Sequence, residues 1–324
     1  MLKPTVYVAG HSGMVGSAIC RRLRLGGYPL VLPTLRTDLT DQESTLQLLD
    51  RLKPDCVFLA AAKVGGIHAN NTYPAEFIYN NLMIQTNVIH ASFVVGVKKL
   101  IFLGSSCIYP REAPQPIKEE YLLSGYLETT NKPYAVAKIA GIVMAQSYNR
   151  QYNTNYVSVM PTNLYGPNDN FDLENSHVIP ALMRKTHEAK LARSEYLAVW
   201  GTGKPLREFL HVDDLADACV FILENYDSGE PLNIGSGVDI SIGDLAQMMK
   251  DVIGFEGEIR FNPEMPDGTP RKLLDVTRLN SLGWHPSISL RQGLLKTYEW
   301  YLEQQSEARN QWADRGGLER LDNA

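Results

Sequence analysis

Thr5-Val6-Tyr7-Val8-Ala9 runs without a break into Gly10-His11-Ser12-Gly13-Met14-Val15-Gly16, and a segment of helical period follows. A strand that becomes a helix within so few residues needs backbone freedom. Glycines supply it: they permit the tight turn, let the backbone approach a ligand, and let the helix pack on the strand. The helix N-terminus faces the turn with unpaired N–H groups, which suits a pyrophosphate. A glycine pattern alone is weak evidence, but in this strand-turn-helix setting it reads as a dinucleotide loop rather than a merely tight turn.

From Thr5 to about Met160, short apolar runs alternate with longer helical segments, the sequence form of a parallel sheet covered by helices. Strands are expected at Thr5 to Ala9, Leu30 to Pro33, Asp55 to Leu59, Leu100 to Leu103 and Tyr156 to Met160. Helices are expected near 14–25, 41–52, 75–96 and 132–152, with Thr40 and Glu43 spaced as a capping box and Pro74 at a helix start. Beyond Met160 the alternation gives way to Pro, Gly and Asn-rich stretches with shorter helices, notably 213–225, 241–253 and 289–303. The fold class is therefore α/β: a Rossmann doubly wound parallel sheet with a smaller C-terminal substrate-binding lobe. We divide the chain into residues 1–165, the dinucleotide-binding domain; residues 166–303, mainly the lobe but with some chain returning to the first domain; and 304–324, a polar tail expected to fray.

With 31 Lys and Arg against 36 Asp and Glu, the formal charge is -5, which argues against nonspecific nucleic-acid or membrane binding. An acidic chain that takes a phosphorylated ligand must concentrate its cations locally. Cys20, Cys56, Cys107 and Cys219 are scattered, without the close pairs that zinc or redox motifs need, so no metal site is expected. With no secretory pattern at the N-terminus and no membrane-length apolar run, a cytoplasmic protein is expected.

Cofactor choice is read after the second strand, where a cation favours the 2'-phosphate of NADP and an acid the ribose of NAD. Leu35-Arg36-Thr37-Asp38 places Arg36 as the phosphate clamp, with Asp38 keeping NAD as the minority reading. Farther on, Tyr134 and Lys138 stand four apart in an apolar helical segment, on one helix face. An ammonium there is expected to lower the phenol from its usual pKa of about 10, making Tyr134 an acid and base near neutral pH. Ser105 and Cys107 follow a strand, at the carboxyl end where ligands bind in such sheets. If the strand stays extended they share a face. The alternative is that Cys107 is a small buried apolar residue.

Gly-Ser-Ser-Cys-Ile-Tyr-Pro at 104–110, Pro-Thr-Asn-Leu-Tyr-Gly-Pro at 161–167, Asn-Ser-His-Val-Ile-Pro at 175–180 and Arg-Glu-Phe-Leu-His-Val-Asp-Asp at 207–214 closely resemble the GDP-L-fucose synthases. These belong to the extended short-chain dehydrogenase/reductases, whose Gly-x-x-Gly-x-x-Gly spacing the first loop shares. Ala-Lys-Val-Gly-Gly-Ile at 62–67 and Pro-Asp-Gly-Thr-Pro-Arg-Lys at 266–272 extend the likeness, which reaches to about residue 303.

The resemblance implies a two-stage enzyme: GDP-4-keto-6-deoxy-D-mannose is epimerised at carbons 3 and 5, and its 4-ketone is then reduced by NADPH to give GDP-L-fucose. Tyr134, Lys138, Ser105, Cys107 and His177 would be catalytic, with Cys107 the base and His177 the acid; their reference pKa values of about 8.5 and 6.5 bracket neutrality. NADP(H) would be held by the 10–16 loop, Arg36, Leu103, Gly104, Ser105, Ser106, Lys138, Pro161, Thr162, Asn163, Leu164 and His177. Lys185, Trp200, Arg207, Asp267 and Lys272 would contact the substrate, the cations meeting its diphosphate. The alternatives are that Trp200 belongs to the core and that His177 is a structural histidine. Two departures stand out. Ser12 replaces a loop arginine often seen in the family, which weakens NADP selectivity, and Lys185 stands where some members have arginine, a point charge in place of a bidentate contact. The long helices near 75–96 and 132–152 commonly form a four-helix dimer interface in this class, so a homodimer is expected. The competing readings are a nucleotide-sugar 4-epimerase that keeps its NAD and needs neither Cys107 nor His177, and a binding module that senses the dinucleotide without catalysis.

Overall fold

The computed structural model describes residues 2–316, apart from Glu174 and Pro266. Five parallel strands form the main sheet: β1 (Val6–Ala9), β2 (Cys56–Leu59), β3 (Lys99–Leu103), β4 (Tyr156–Pro161) and β8 (Leu232–Ile234), side by side in that order. Nearly every residue of β1 to β4 is buried, as expected for a sheet covered on both faces. On one face lie α1 (Met14–Leu25) and α7 (Val212–Asn225), packed on each other. On the other lie α2 (Gln42–Leu52), α4 (Pro74–Val94) and α5 (Lys132–Tyr152). The α4–α5 approach is close because Gly141 has no side chain: a Cβ there would stand 2.5 Å from the Phe102 ring and 3.0 Å from the Gln85 amide carbon.

The expected strand at 30–33 is reduced to a single bridge, Leu30 beside Val6. Pro29 and Pro33 bracket it and lack N–H donors, so the ladder stops after Val31 donates to Val6. The capping box also fails. Asp41 caps α2 by accepting from the Ser44 N–H, whereas Thr40 gives its N–H and hydroxyl to Asp38. In a chain with Asp one residue nearer the helix, the shorter carboxylate route prevails.

The second half of the chain builds a smaller layer. It contains β5 (Asn163–Tyr165), α6 (Val178–Leu191), β6 (Tyr196–Trp200), β7 (Leu206–His211), β9 (Asp239–Ser241), α8 (Ile242–Ile253), β10 (Glu258–Asn262) and β11 (Arg271–Lys272). Strand β7 is its hinge of pairing, flanked by β5 and β11 in parallel and by β9 in antiparallel. Helix α10 (Leu290–Gly316) runs on through the first part of the segment read as a polar tail. Residues 317–324 of that segment lie outside the described residues. Helix α6 went unread in the sequence: Ile179, Leu182, Met183 and Thr186 form a buried stripe at helical spacing, but Pro180 and the Asn-rich approach hide its start. Among the described residues no helix is long and apolar enough to cross a membrane.

Candidate active site

The glycine loop closes with Gly13 donating to the Gly10 carbonyl at 3.0 Å, and Gly13 forms the N-cap of α1. Gly10 has φ +86°, and a Cβ there would meet the Ala61 amide at 2.7 Å; one at Gly16 would collide with the Gly10 carbonyl. Strand, turn and helix are thus pressed together as a dinucleotide cradle requires. The loop lies where α1 leads from β1 to the Leu30 side while α2 returns to β2, so the crossovers part at the end of β1. That is where ligands bind in such sheets. Arg36 is exposed, and Asp38 is occupied by Thr40, which also holds its carboxyl below the ordinary value. Ser12 is exposed on the loop.

At the end of β3 the chain does not stay extended. Ser105 caps a 3-10 turn over Ser106–Ile108, its hydroxyl accepting from the Cys107 N–H at 3.1 Å. Ser105 and Cys107 therefore converge through a turn and not through strand alternation. The Ser105 hydroxyl also faces the Tyr134 phenol. Phe77 packs edge-on to the Tyr134 ring, with centroids 6.5 Å apart.

Lys138 is almost fully buried and donates to the Leu103 carbonyl at 2.7 Å, its ammonium 5.9 Å from the Tyr134 ring centre. Burial lowers Lys138 to about 7. Burial raises Tyr134 well above its ordinary value, with the neighbouring Cys107 adding to the rise and Ser105 opposing it. The expectation that Lys138 brings the phenol down is therefore not met in this arrangement. The lysine points at a backbone carbonyl, and desolvation outweighs its charge.

Cys107 is half-buried, unlike the other three cysteines, and its Sγ lies 3.4 Å from Lys272 Nζ. Burial pushes the thiol up, but Lys272, the Ser105 hydroxyl and Arg207 together bring it below its ordinary value. It is not an apolar filler. His177 is the N-cap of α6; its ring makes no capping bond and keeps one exposed side while the protein crowds around the rest. The protein around it, and then Lys272, hold its pKa below the usual value.

From Lys272 a polar track leads outward. Arg207, its pKa lowered by burial despite Asp267 and Cys107, follows on β7. Asp267 accepts from the Thr202 N–H at 2.6 Å and hydroxyl at 2.8 Å, just beyond Trp200. Trp200 is 59% exposed, which removes the core alternative, and Lys185 Nζ stands 4.8 Å from its ring centre. These two line a shallow cavity of about 410 Å³. Beneath the track, buried Glu208 accepts from the N–H groups of Gly237 and Leu274 while its carbonyl takes Thr162 and Asn163, fixing the floor. Pro161 and Leu164 flank these two at the β4–β5 step, and Gly104 N–H bonds to Val159. Sequence reading missed Glu208 and Phe77 altogether; a buried acid beside Arg207 in a strand was the available signal.

Residues 6–235 match the model of the NAD dependent epimerase/dehydratase family. The chain belongs to that family. It is 60% identical over 300 residues to GDP-L-fucose synthase 1 of Arabidopsis thaliana, covering 92% of this chain and 93% of that one. It is 54% identical over 320 residues to GDP-L-fucose synthase of Escherichia coli K12, covering 95% and 100%. Among solved structures, a GDP-L-fucose synthetase from Naegleria fowleri bound to NADP superposes with a TM-score of 0.87 at 29% identity, over 95% of this chain and 97% of that one.

Proposed function

We propose that this enzyme acts as a GDP-L-fucose synthase, taking GDP-4-keto-6-deoxy-D-mannose through epimerisation at carbons 3 and 5 and reducing the 4-ketone with NADPH. The observation that carries the reading is the Cys107–Lys272 contact beside His177 and within reach of Ser105 and Tyr134. A plain 4-epimerase has no use for a cation-activated thiol next to its tyrosine.

The residues divide the work. Carbons 3 and 5 flank the ketone, so loss of either proton leaves an enolate whose charge falls on the ketone oxygen. Tyr134 and Ser105 hydroxyls, which face one another, would donate to that oxygen. Cys107 as thiolate takes the proton from one face, and His177 returns one to the other. Bound NADPH supplies the hydride for the second stage, when Tyr134 gives its proton to the same oxygen. Lys138, tied to Leu103, stays beneath the phenol. Outward, Arg207 and Lys185 would meet the diphosphate, with Trp200 and Asp267 beside them. Gly10 to Gly16 and Arg36 would hold the cofactor.

A homodimer through α4 and α5 would cover exposed Tyr79, Val94, Val143 and Tyr152, and four free cysteines, one needed as a thiol, suit a reducing cytoplasm. The test is to supply GDP-4-keto-6-deoxy-D-mannose with NADPH and identify the sugar. GDP-L-fucose is expected; an unepimerised 6-deoxy sugar, or no NADPH oxidation, would overturn the reading.

A further inference from the structure

We propose that the Gly65–Gly66 turn, pinned by Asn70, is a positioning device that sets where His177 stands in the site. Gly66 has φ -65° and ψ -179°, a backbone that any residue adopts, so its glycine is not there for conformational freedom. Room decides instead. A Cβ at Gly66 would stand 2.7 Å from the Ser176 carbonyl oxygen and 3.3 Å from that of Asn175, and both are backbone atoms that cannot rotate away. The Gly66 N–H already donates to the Asn175 carbonyl at 2.9 Å. His177 is the next residue in the chain after Ser176.

Both sides of this contact are fixed. The buried Asn70 side chain donates from Nδ2 to the carbonyls of Gly65 at 2.8 Å and Gly66 at 3.0 Å. Across from it, Asp172 Oδ1 accepts from the Asn175 N–H and side-chain amide, and the Asp172 carbonyl accepts from Ser176. A side chain at Gly66 cannot be absorbed by either partner, so the Asn175–Ser176 backbone must move and carry His177 with it. The arrangement also joins the two layers of the protein: the turn follows β2 of the main sheet, and His177 opens α6 of the second layer. The role rests on the reading of His177 as the acid; the geometry does not.

Gly66→Ala pushes the segment away, and Asn70→Ala loosens the turn that holds it. The full-length protein, saturated with NADP+ so that the reaction stops before reduction, would be given the keto-sugar in deuterium oxide. His177 would be followed by histidine NMR, assigned by difference from His177→Gln. In both variants the His177 titration should move up toward its ordinary value as the ring leaves Lys272 and its packing. Cys107 can still take a proton and return solvent deuterium to the same face, so exchange at carbons 3 and 5 should persist while inversion falls by about tenfold or more. Exchange falling in step with inversion in both variants would mark a general loss of packing and overturn the proposal. An unchanged His177 titration with inversion at the parent rate in both variants overturns the proposal. A shifted titration with undiminished inversion keeps the positioning role and removes His177 as the acid.

Discussion

Lys272 Nζ and Cys107 Sγ, 165 residues apart in sequence, lie 3.4 Å from each other. One ammonium thereby favours the thiolate of Cys107 and, by the same charge, disfavours the imidazolium of His177. Both groups titrate below their ordinary values, Lys272 contributing to each, although burial is the larger cause for His177.

Lys272→Met should therefore move both limbs of the epimerisation pH profile to higher pH. The thiolate is the active form of the base, so its rising limb follows the Cys107 pKa upward; the protonated imidazole is the active acid, so the falling limb follows His177 upward. Rates of inversion measured from pH 5 to 10 check this. A profile that only loses height would assign Lys272 to substrate binding alone.

Cys107→Ser keeps size and removes most basicity. Solvent deuterium should fail to enter carbons 3 and 5, by about a hundredfold or more in rate, with NADPH binding retained. Any reduction that still takes place would give an unepimerised product. NADPH consumption alone is ambiguous, because reduction waits on epimerisation, so NMR of the substrate decides.

Lys138→Met should abolish reduction and yet stabilise the cofactor-free protein. Burial holds the folded Lys138 near 7, below the ordinary lysine value of about 10.4. Between those values the unfolded chain binds more protons, so the parent gains stability as pH rises. The methionine variant lacks that cost, which is largest below pH 7. After the unpaired Leu103 carbonyl is allowed for, a gain on the order of 1 kcal/mol is expected at pH 6, turning into a loss toward pH 10, where the lysine cost is gone and the unpaired carbonyl remains. Urea midpoints at the two pH values measure it.

Arg36→Ala should weaken NADPH binding by about tenfold and leave NADH nearly unchanged, since only the former carries the 2'-phosphate. Fluorescence titration with each cofactor separates the two. Equal loss for both would place Arg36 outside the phosphate site.

Much of this site is legible along the chain because its parts sit at local junctions: a strand entering glycines, a serine after a strand, a tyrosine and lysine one helical turn apart. Amphipathic α1, and α5 with Pro133 in its first turn, stand where the sequence puts them. What was hidden depends on contacts far apart in sequence. Neither the Lys272 contact with Cys107 nor the Gly66 contact with Ser176 leaves a periodic trace, and the desolvation that raises Tyr134 is a property of the whole fold. The prolines around Leu30 were visible, but their effect on the ladder needs the neighbouring strand to be known.

Helix α6 begins at His177 and carries Lys185, about 12 Å along its axis at the usual rise. His187, on the same rod, meets the Tyr298 hydroxyl of α10 at 3.0 Å. On the proposed roles, proton donor and phosphate-side cation are thus held on one rod, braced against α10. Grip on the nucleotide end would then bear on the chemistry at the sugar, so a substrate shorn of its GDP should forfeit turnover and not merely affinity.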